Sequence, residues 1–233
     1  MRILRIWLIF IRRIRILFHC YRCQRVPVLR RQEGSLPTNT VPALVAGRDG
    51  ARWGGTALGL TRVRQFSQDD AHCFVTDDQI GSEVEALLRL VQRIYGDFGL
   101  EYTAKLATRP EKFLGEIATW DHAETALREA LERAGQPYLL EAGEGAFYGP
   151  KIDFDITDAL GRKWQCGTIQ LDYQMPARFN LRYTGADNAE HTPVVIHRAI
   201  FGSFERFIGI LIEHFAGAFP LWMAPVQAVV LPI

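Results

Sequence analysis

Lys151-Ile152-Asp153-Phe154-Asp155-Ile156-Thr157-Asp158-Ala159-Leu160-Gly161-Arg162-Lys163-Trp164-Gln165-Cys166-Gly167-Thr168-Ile169-Gln170-Leu171-Asp172-Tyr173 is the stretch whose reading decides the fold. Ile152, Phe154 and Ile156 alternate with polar residues at the two-residue period of a half-buried strand. Asp158-Ala159-Leu160-Gly161 supplies turn chemistry, and Lys163 to Leu171 runs back, so the stretch predicts an antiparallel hairpin. Gln165 and Gln170 are amides where a core strand carries apolar side chains, which points to a ligand. Their parity is opposite, so both reach one site only if the strand is bulged, with Gly167 the natural place.

The pattern continues on both sides of the hairpin. Pro193 to Ile200 reads as a strand, and Ser203 opens a helix whose apolar residues Phe204, Phe207, Ile208, Leu211 and Ile212 keep helical spacing up to Gly217 and Pro220. Upstream, residues 69–75 alternate weakly as a strand. Thr76 and Gln79 have the spacing of a capping box before the amphipathic run Val84, Leu87, Leu88, Val91, Ile94 and Tyr95. Tyr102 to Ala107 reads as a strand stopped by Arg109-Pro110, and Trp120 to Ala134 as a helix closed by Gly135. Strands that pair antiparallel, with helices packed against them, predict an α+β domain.

Composition sets the outer limits. The chain has 233 residues, 48% hydrophobic and 23% charged, enough for a real core. Its net charge of +1 conceals an asymmetry: residues 1–60 hold eleven Arg, no Lys and only Glu33 and Asp49 as acids, which leaves 61–233 clearly acidic. Four Cys, at 20, 23, 73 and 166, make no dense disulfide framework, so a reducing compartment, the cytoplasm, is expected. The N-terminus has an apolar run like that of a secretory signal, but Arg12, Arg13 and Arg15 interrupt it and no small-residue cleavage site follows. No stretch reaches the ~20 apolar residues of a membrane-spanning helix, and no membrane partner is expected.

Polar residues concentrate in four places. In Arg62 to His72, an extended backbone points Gln68, Asp70 and His72 to one face, suited to an amine and a metal, or simply to a solvated strand edge. Glu144-Gly145-Ala146-Phe147-Tyr148-Gly149-Pro150-Lys151 places the donors Tyr148 and Lys151 beside glycines that let backbone approach a ligand; alone it also reads as a loop. Gln165 to Gln170 is the third. In His197 to Arg206 a strand runs through Gly202 into a helix start whose free N–H groups suit an anion, with Arg206 one turn in. His72 and His197, with a Cys, would make a three-ligand zinc site; a lone His on an apolar strand otherwise reads as a core histidine.

Together these segments resemble the threonyl-tRNA synthetase family from about Gly59 to Ile233. The runs that carry the resemblance are Gln68-Asp69-Asp70-Ala71-His72, Glu144 to Lys151, Gln165 to Asp172 and Ile196-His197-Arg198-Ala199-Ile200, in this order. The resemblance implies the second half of a class II catalytic domain, residues 59–225, with residues 226–233 beginning a linker to an anticodon-binding domain. It implies that Arg62 and Phe66 contact ATP by charge and by stacking on adenine, and that Gln165, Thr168, Ser203 and Arg206 complete the nucleotide site. Arg62 and Arg206 would be the catalytic cations. Gln68, Asp70, Tyr148, Lys151 and Gln170 would surround threonine, and His72 and His197 would bind Zn2+. The implied reaction is ATP- and Mg2+-dependent activation of L-threonine and its transfer to tRNA(Thr).

The resemblance departs upstream of Gly59. Gly50 occupies the position of the family's arginine that grips the α-phosphate, and neither Cys20 nor Cys23 stands in the context of the family's third zinc ligand. Motif 1, which forms the family's homodimer interface, is not matched. Residues 1–58 are expected to be poorly ordered and the sheet to show an unpaired edge. They read as an out-of-frame translation that changes frame near Leu58, or alternatively as an Arg-rich arm for tRNA phosphates. Two functional readings follow: a threonine–tRNA ligase fragment inactive alone, or a non-catalytic zinc- or nucleotide-binding remnant of the same fold.

Overall fold

A computed structural model of the chain describes residues 60–63 and 66–232. The expectations for residues 1–58, Cys20 and Cys23 among them, lie outside the described residues. The described elements are β1 (Ala71–Val75), α1 (Ile80–Asp97), β2 (Tyr102–Ala107), α2 (Ile117–Arg133), β3 (Tyr138–Glu141), β4 (Lys151–Thr157), β5 (Lys163–Asp172), α3 (Gln174–Arg178), β6 (Tyr183–Thr184), β7 (Glu190–His191), β8 (Val194–Ala199) and α4 (Phe204–His214).

Six strands form one sheet in the order β1-β8-β5-β4-β2-β3, and β6 and β7 pair separately. The β4–β5 hairpin stands as the sequence predicts, and β8 and β2 flank it. All pairings in the large sheet are antiparallel except that of β2 with β3. The expected antiparallel sheet is therefore mixed, with one parallel strand at its edge. Lys105 on β2 explains what holds that strand: its ammonium bridges Glu141 of β3 at 2.7 Å and Asp155 of β4 at 2.8 Å. Among the described residues β1 is the opposite edge.

The two faces of the sheet differ because residues alternate. Ile152, Phe154, Ile156, Ile169, Leu171 and Ile196 are fully buried in one core with Val84, Leu88 and Val91 of α1 and Leu127, Ala130 and Leu131 of α2. α4 adds Phe204, Phe207 and Leu211, and Phe207 meets Phe98 and Phe201 edge-on at 5.4 and 4.7 Å between ring centroids. Burial of these side chains, each worth roughly 1.5–3 kcal/mol, fixes the strand register. Alternate residues then fall on the other face: Lys151, Asp153 and Asp155 on β4, Thr168, Gln170 and Asp172 on β5, His197 on β8. That polar face holds the candidate site. Residues 226–232 carry no helix or strand, and Val229, Val230 and Leu231 are exposed. No helix among the described residues is long and apolar enough to cross a membrane.

Candidate functional site

Two local features bring distant side chains onto the polar face. Phe154 is the partner of Gly167, yet the next residue, Asp155, pairs with Gln165, so Cys166 is one extra residue on β5. This bulge reverses the parity between Gln165 and Gln170, and both line the same cavity. Gly167 is required there: a Cβ would lie 2.6 Å from the Tyr95 hydroxyl, which donates to the Ile200 carbonyl at 2.5 Å. The second feature is the turn from β8 into α4. Gly202 takes φ +64°, where a Cβ would meet the Cys166 carbonyl at 2.5 Å, and Ser203 caps the helix by accepting from the Arg206 N–H at 3.3 Å.

The cavity holds about 400 Å³. It is lined by Arg62, Phe66, Gln165, Thr168, Ser203 and Arg206 and by Gln68, Asp70, Tyr148, Gln170 and His197. The Arg206 guanidinium is oriented by the Thr61 and Gln165 carbonyls, each at 3.2 Å. Arg62 is exposed, and neither Arg62 nor Asp70 makes a hydrogen bond or ion pair among the described residues, so these two charges are available to a ligand. The Tyr148 hydroxyl donates to Gln170 Oε1 at 2.9 Å, and Gln170 Nε2 donates to the Gly149 carbonyl at 3.3 Å. Burial, with Asp172 and Asp70 nearby, raises the Tyr148 pKa, which keeps it a donor at neutral pH.

Two predicted residues do not line the cavity. Lys151 pairs with Asp153, whose second oxygen accepts from Thr168 Oγ1 at 2.7 Å. His72 is exposed beside the cavity, yet it is the Cα partner of His197 across β1 and β8, and their rings meet edge-on with centroids 4.6 Å apart. The donor chemistry fits zinc in part. Two imidazoles share one face, but no third His, Cys, Asp or Glu among the described residues completes a metal cluster.

Several residues that build the site were not singled out from the sequence. Asp172 is fully buried; it holds His197 Nε2 at 2.9 Å and accepts from the Gln174 and Met175 N–H groups at 2.9 Å. It shares the parity of Thr168 and Gln170, a signal that an acid at the end of an apolar strand gives. Asp69 is also fully buried, and accepts from the Ile200 and Phe201 N–H groups at 2.7 and 3.0 Å, with Arg198 Nη1 at 3.4 Å. Burial pushes its pKa up to about 6, against the lowering effect of Arg198 and the two N–H groups.

A cavity lined by two arginines, a carboxylate and amide and phenol groups suits a ligand that carries an anionic group together with an amine or hydroxyl. Comparison with known proteins gives this geometry a context. The family model for the tRNA synthetase class II core domain (G, H, P, S and T) matches residues 19–215, beginning upstream of position 59, where the motif resemblance begins. The threonine–tRNA ligase of Symbiobacterium thermophilum is 63% identical over 179 residues, 77% of this chain and 28% of that protein. That of Thermotoga neapolitana is 61% identical over the same shares. The chain thus spans little more than a quarter of the length of these relatives. Among solved structures, the RNA binding domain of threonyl-tRNA synthetase from Cryptosporidium parvum superposes with a TM-score of 0.69 at 49% identity, covering 71% of this chain and 42% of that one. A putative threonyl-tRNA synthetase from Aeropyrum pernix gives 0.62 at 35% identity, covering 72% and 40%. A model match over most of the chain, with relatives of this identity, places the protein in the class II core-domain family of tRNA synthetases.

Proposed function

We propose that the cavity binds L-threonine and ATP side by side, as the activating half-site of a threonine–tRNA ligase that works in the cytoplasm with tRNA(Thr) as acceptor. The observation that carries this reading is the convergence of Arg62, Asp70, Gln165, Gln170, His197 and Arg206, from separate segments, on one cavity of about 400 Å³. In the reaction the threonine carboxylate attacks the α-phosphorus of ATP, a mixed anhydride forms and pyrophosphate leaves; the tRNA 3′-terminal hydroxyl then attacks the acyl carbon and AMP leaves. No protein nucleophile is needed. Two anions must be brought together, so the work of the protein is positioning and charge neutralisation. Arg62 and Arg206 supply the charge, with Mg2+ accompanying the phosphates, and Phe66 offers its ring to adenine.

Gln68, Asp70, Tyr148 and Gln170 surround the amino acid in this reading, with Asp70 placed for the ammonium or hydroxyl, while Lys151, held by Asp153, stands outside the cavity. His72 and His197 would be the imidazoles that hold Zn2+, and Asp172 fixes the His197 ring. Zinc there would favour a substrate with a hydroxyl beside its amine over valine, which has the amine alone. An apolar pocket alone discriminates poorly between threonine and valine, whereas groups left unpaired by the missing hydroxyl penalise valine strongly.

In the register that the resemblance implies, Gly50 stands where the family has its α-phosphate arginine, so the proposal is binding with little catalysis. Calorimetric titration should detect L-threonine and α,β-methylene-ATP, while threonine-dependent ATP–pyrophosphate exchange stays near the blank. Absence of both ligands from the titration contradicts the reading, and exchange at the rate of a full-length threonine–tRNA ligase contradicts its non-catalytic part.

A further inference from the structure

Two acidic residues outside the cavity lining tie together two segments that line it. The segment 67–70 carries Gln68 and Asp70, which the proposed function gives to threonine, and the turn 200–206 carries Ser203 and Arg206, which the resemblance gives to the nucleotide. Glu205 accepts from the Ser67 N–H at 3.1 and 3.0 Å and from the Ser203 hydroxyl at 3.0 Å, one carboxylate across both segments. The Phe204 N–H donates to the Ser67 carbonyl at 2.9 Å, and Gln68 bridges Ser203. Asp69, one residue on, accepts from the Ile200 and Phe201 N–H groups at 2.7 and 3.0 Å. Charge-assisted bonds of this kind are short and directional, and in a partly buried place they are costly to leave unmade.

We infer that Asp69 and Glu205 are positioning residues that hold these two segments in register, so that binding at one prepares the other. The inference rests on the reading of the cavity as a threonine and ATP site. Its consequence is a reciprocal coupling: the nucleotide raises the affinity for threonine by the factor by which threonine raises the affinity for the nucleotide. A displacement of Ser203 by bound nucleotide is passed through Glu205 to Ser67, and so to Gln68 and Asp70.

Glu205→Ala removes the link to both segments, and Glu205→Gln is its control. The Gln amide can still accept from the Ser67 N–H and stay bonded to the Ser203 hydroxyl, which accepts as well as donates, whereas Ala makes neither bond. Asp69→Asn is the harsher change, because an NH2 group would face a backbone N–H in a buried place. The test is titration of L-threonine into the full chain with and without saturating α,β-methylene-ATP, with thermal melts by circular dichroism as the control for folding. The parent is expected to gain about five-fold or more in threonine affinity with the nucleotide present, E205Q about as much, and E205A less than about two-fold, with melting temperatures within a few degrees of the parent. A folded E205A that keeps the parent's coupling, or an E205Q that loses it, overturns the inference alone. A parent that binds neither ligand overturns it together with the proposed function.

Discussion

His72 and His197 face each other as Cα partners across the two neighbouring strands β1 and β8, with ring centroids 4.6 Å apart, and Asp172 holds the Nε2 of His197 at 2.9 Å. A ring fixed by a buried carboxylate is held in orientation, which suits a metal ligand better than a mobile surface histidine.

Zinc retention follows from this pair. After dialysis against buffer without metal, the parent should hold zinc, and His72→Ala and His197→Ala should each hold markedly less by atomic emission. Chelation should lower threonine binding more than nucleotide binding, since the proposed function sets the metal against the amine and hydroxyl of the amino acid. Equal zinc in the parent and both variants contradicts the metal assignment.

The Arg206 guanidinium is already oriented by the Thr61 and Gln165 carbonyls, so its loss removes a preplaced charge. Arg206→Ala should weaken α,β-methylene-ATP binding by roughly 10–100-fold, the 1.5–3 kcal/mol of a hydrogen bond to a charged group. Threonine measured alone should change by less than about three-fold.

Packing at the bulge gives a stability prediction. Gly167→Ala puts a Cβ 2.6 Å from the Tyr95 hydroxyl and 3.1 Å from the Ile200 carbonyl, and the backbone atom cannot yield cheaply. Overpacking of this kind costs about 1–3 kcal/mol, seen as a lower urea midpoint with an unchanged slope. An unchanged midpoint would show that the bulge relaxes.

Much of this arrangement was legible in the sequence, for identifiable reasons. The hairpin, the helix after Ser203 and the apolar face of α1 follow from alternation and helical spacing. The bulge follows from the clash of parity between Gln165 and Gln170. β3 was not legible, because it is four residues long, it does not alternate, and Leu139 and Leu140 are both exposed. Asp69 and Asp172 were hidden for another reason. Each looks like an ordinary polar residue beside a motif, and its importance lies in backbone N–H groups that only the folded chain brings near. Lys151 was expected at the substrate, but its partner Asp153 lies two residues along the same strand face.

Two carboxylates pull the acid response in opposite directions. Burial raises the Asp69 pKa to about 6, so the folded state binds this proton more tightly than the unfolded one; the resulting stabilisation is full below about 4 and lost as pH rises through 6. Asp158 is the reverse. Burial opposes its charge, but hydrogen bonds from Trp164, Arg162 and Leu160 outweigh that and hold its pKa down at about 2. Its contribution is present above about 4 and lost as pH falls through 2. Asp69→Asn should therefore flatten the stability profile between pH 4 and 6, and Asp158→Asn below pH 4, in urea melts. Profiles parallel to the parent's in both windows would contradict these assignments.

The central claim, that the cavity is built for threonine joined to a nucleotide, is tested most directly by calorimetric titration of the zinc-loaded chain with non-hydrolysable analogues of threonyl- and valyl-adenylate. The account predicts that the threonyl analogue binds at least about 10-fold tighter than the valyl one, and that chelating the zinc removes most of this preference. Equal affinity for the two analogues, or a preference untouched by chelation, would contradict it.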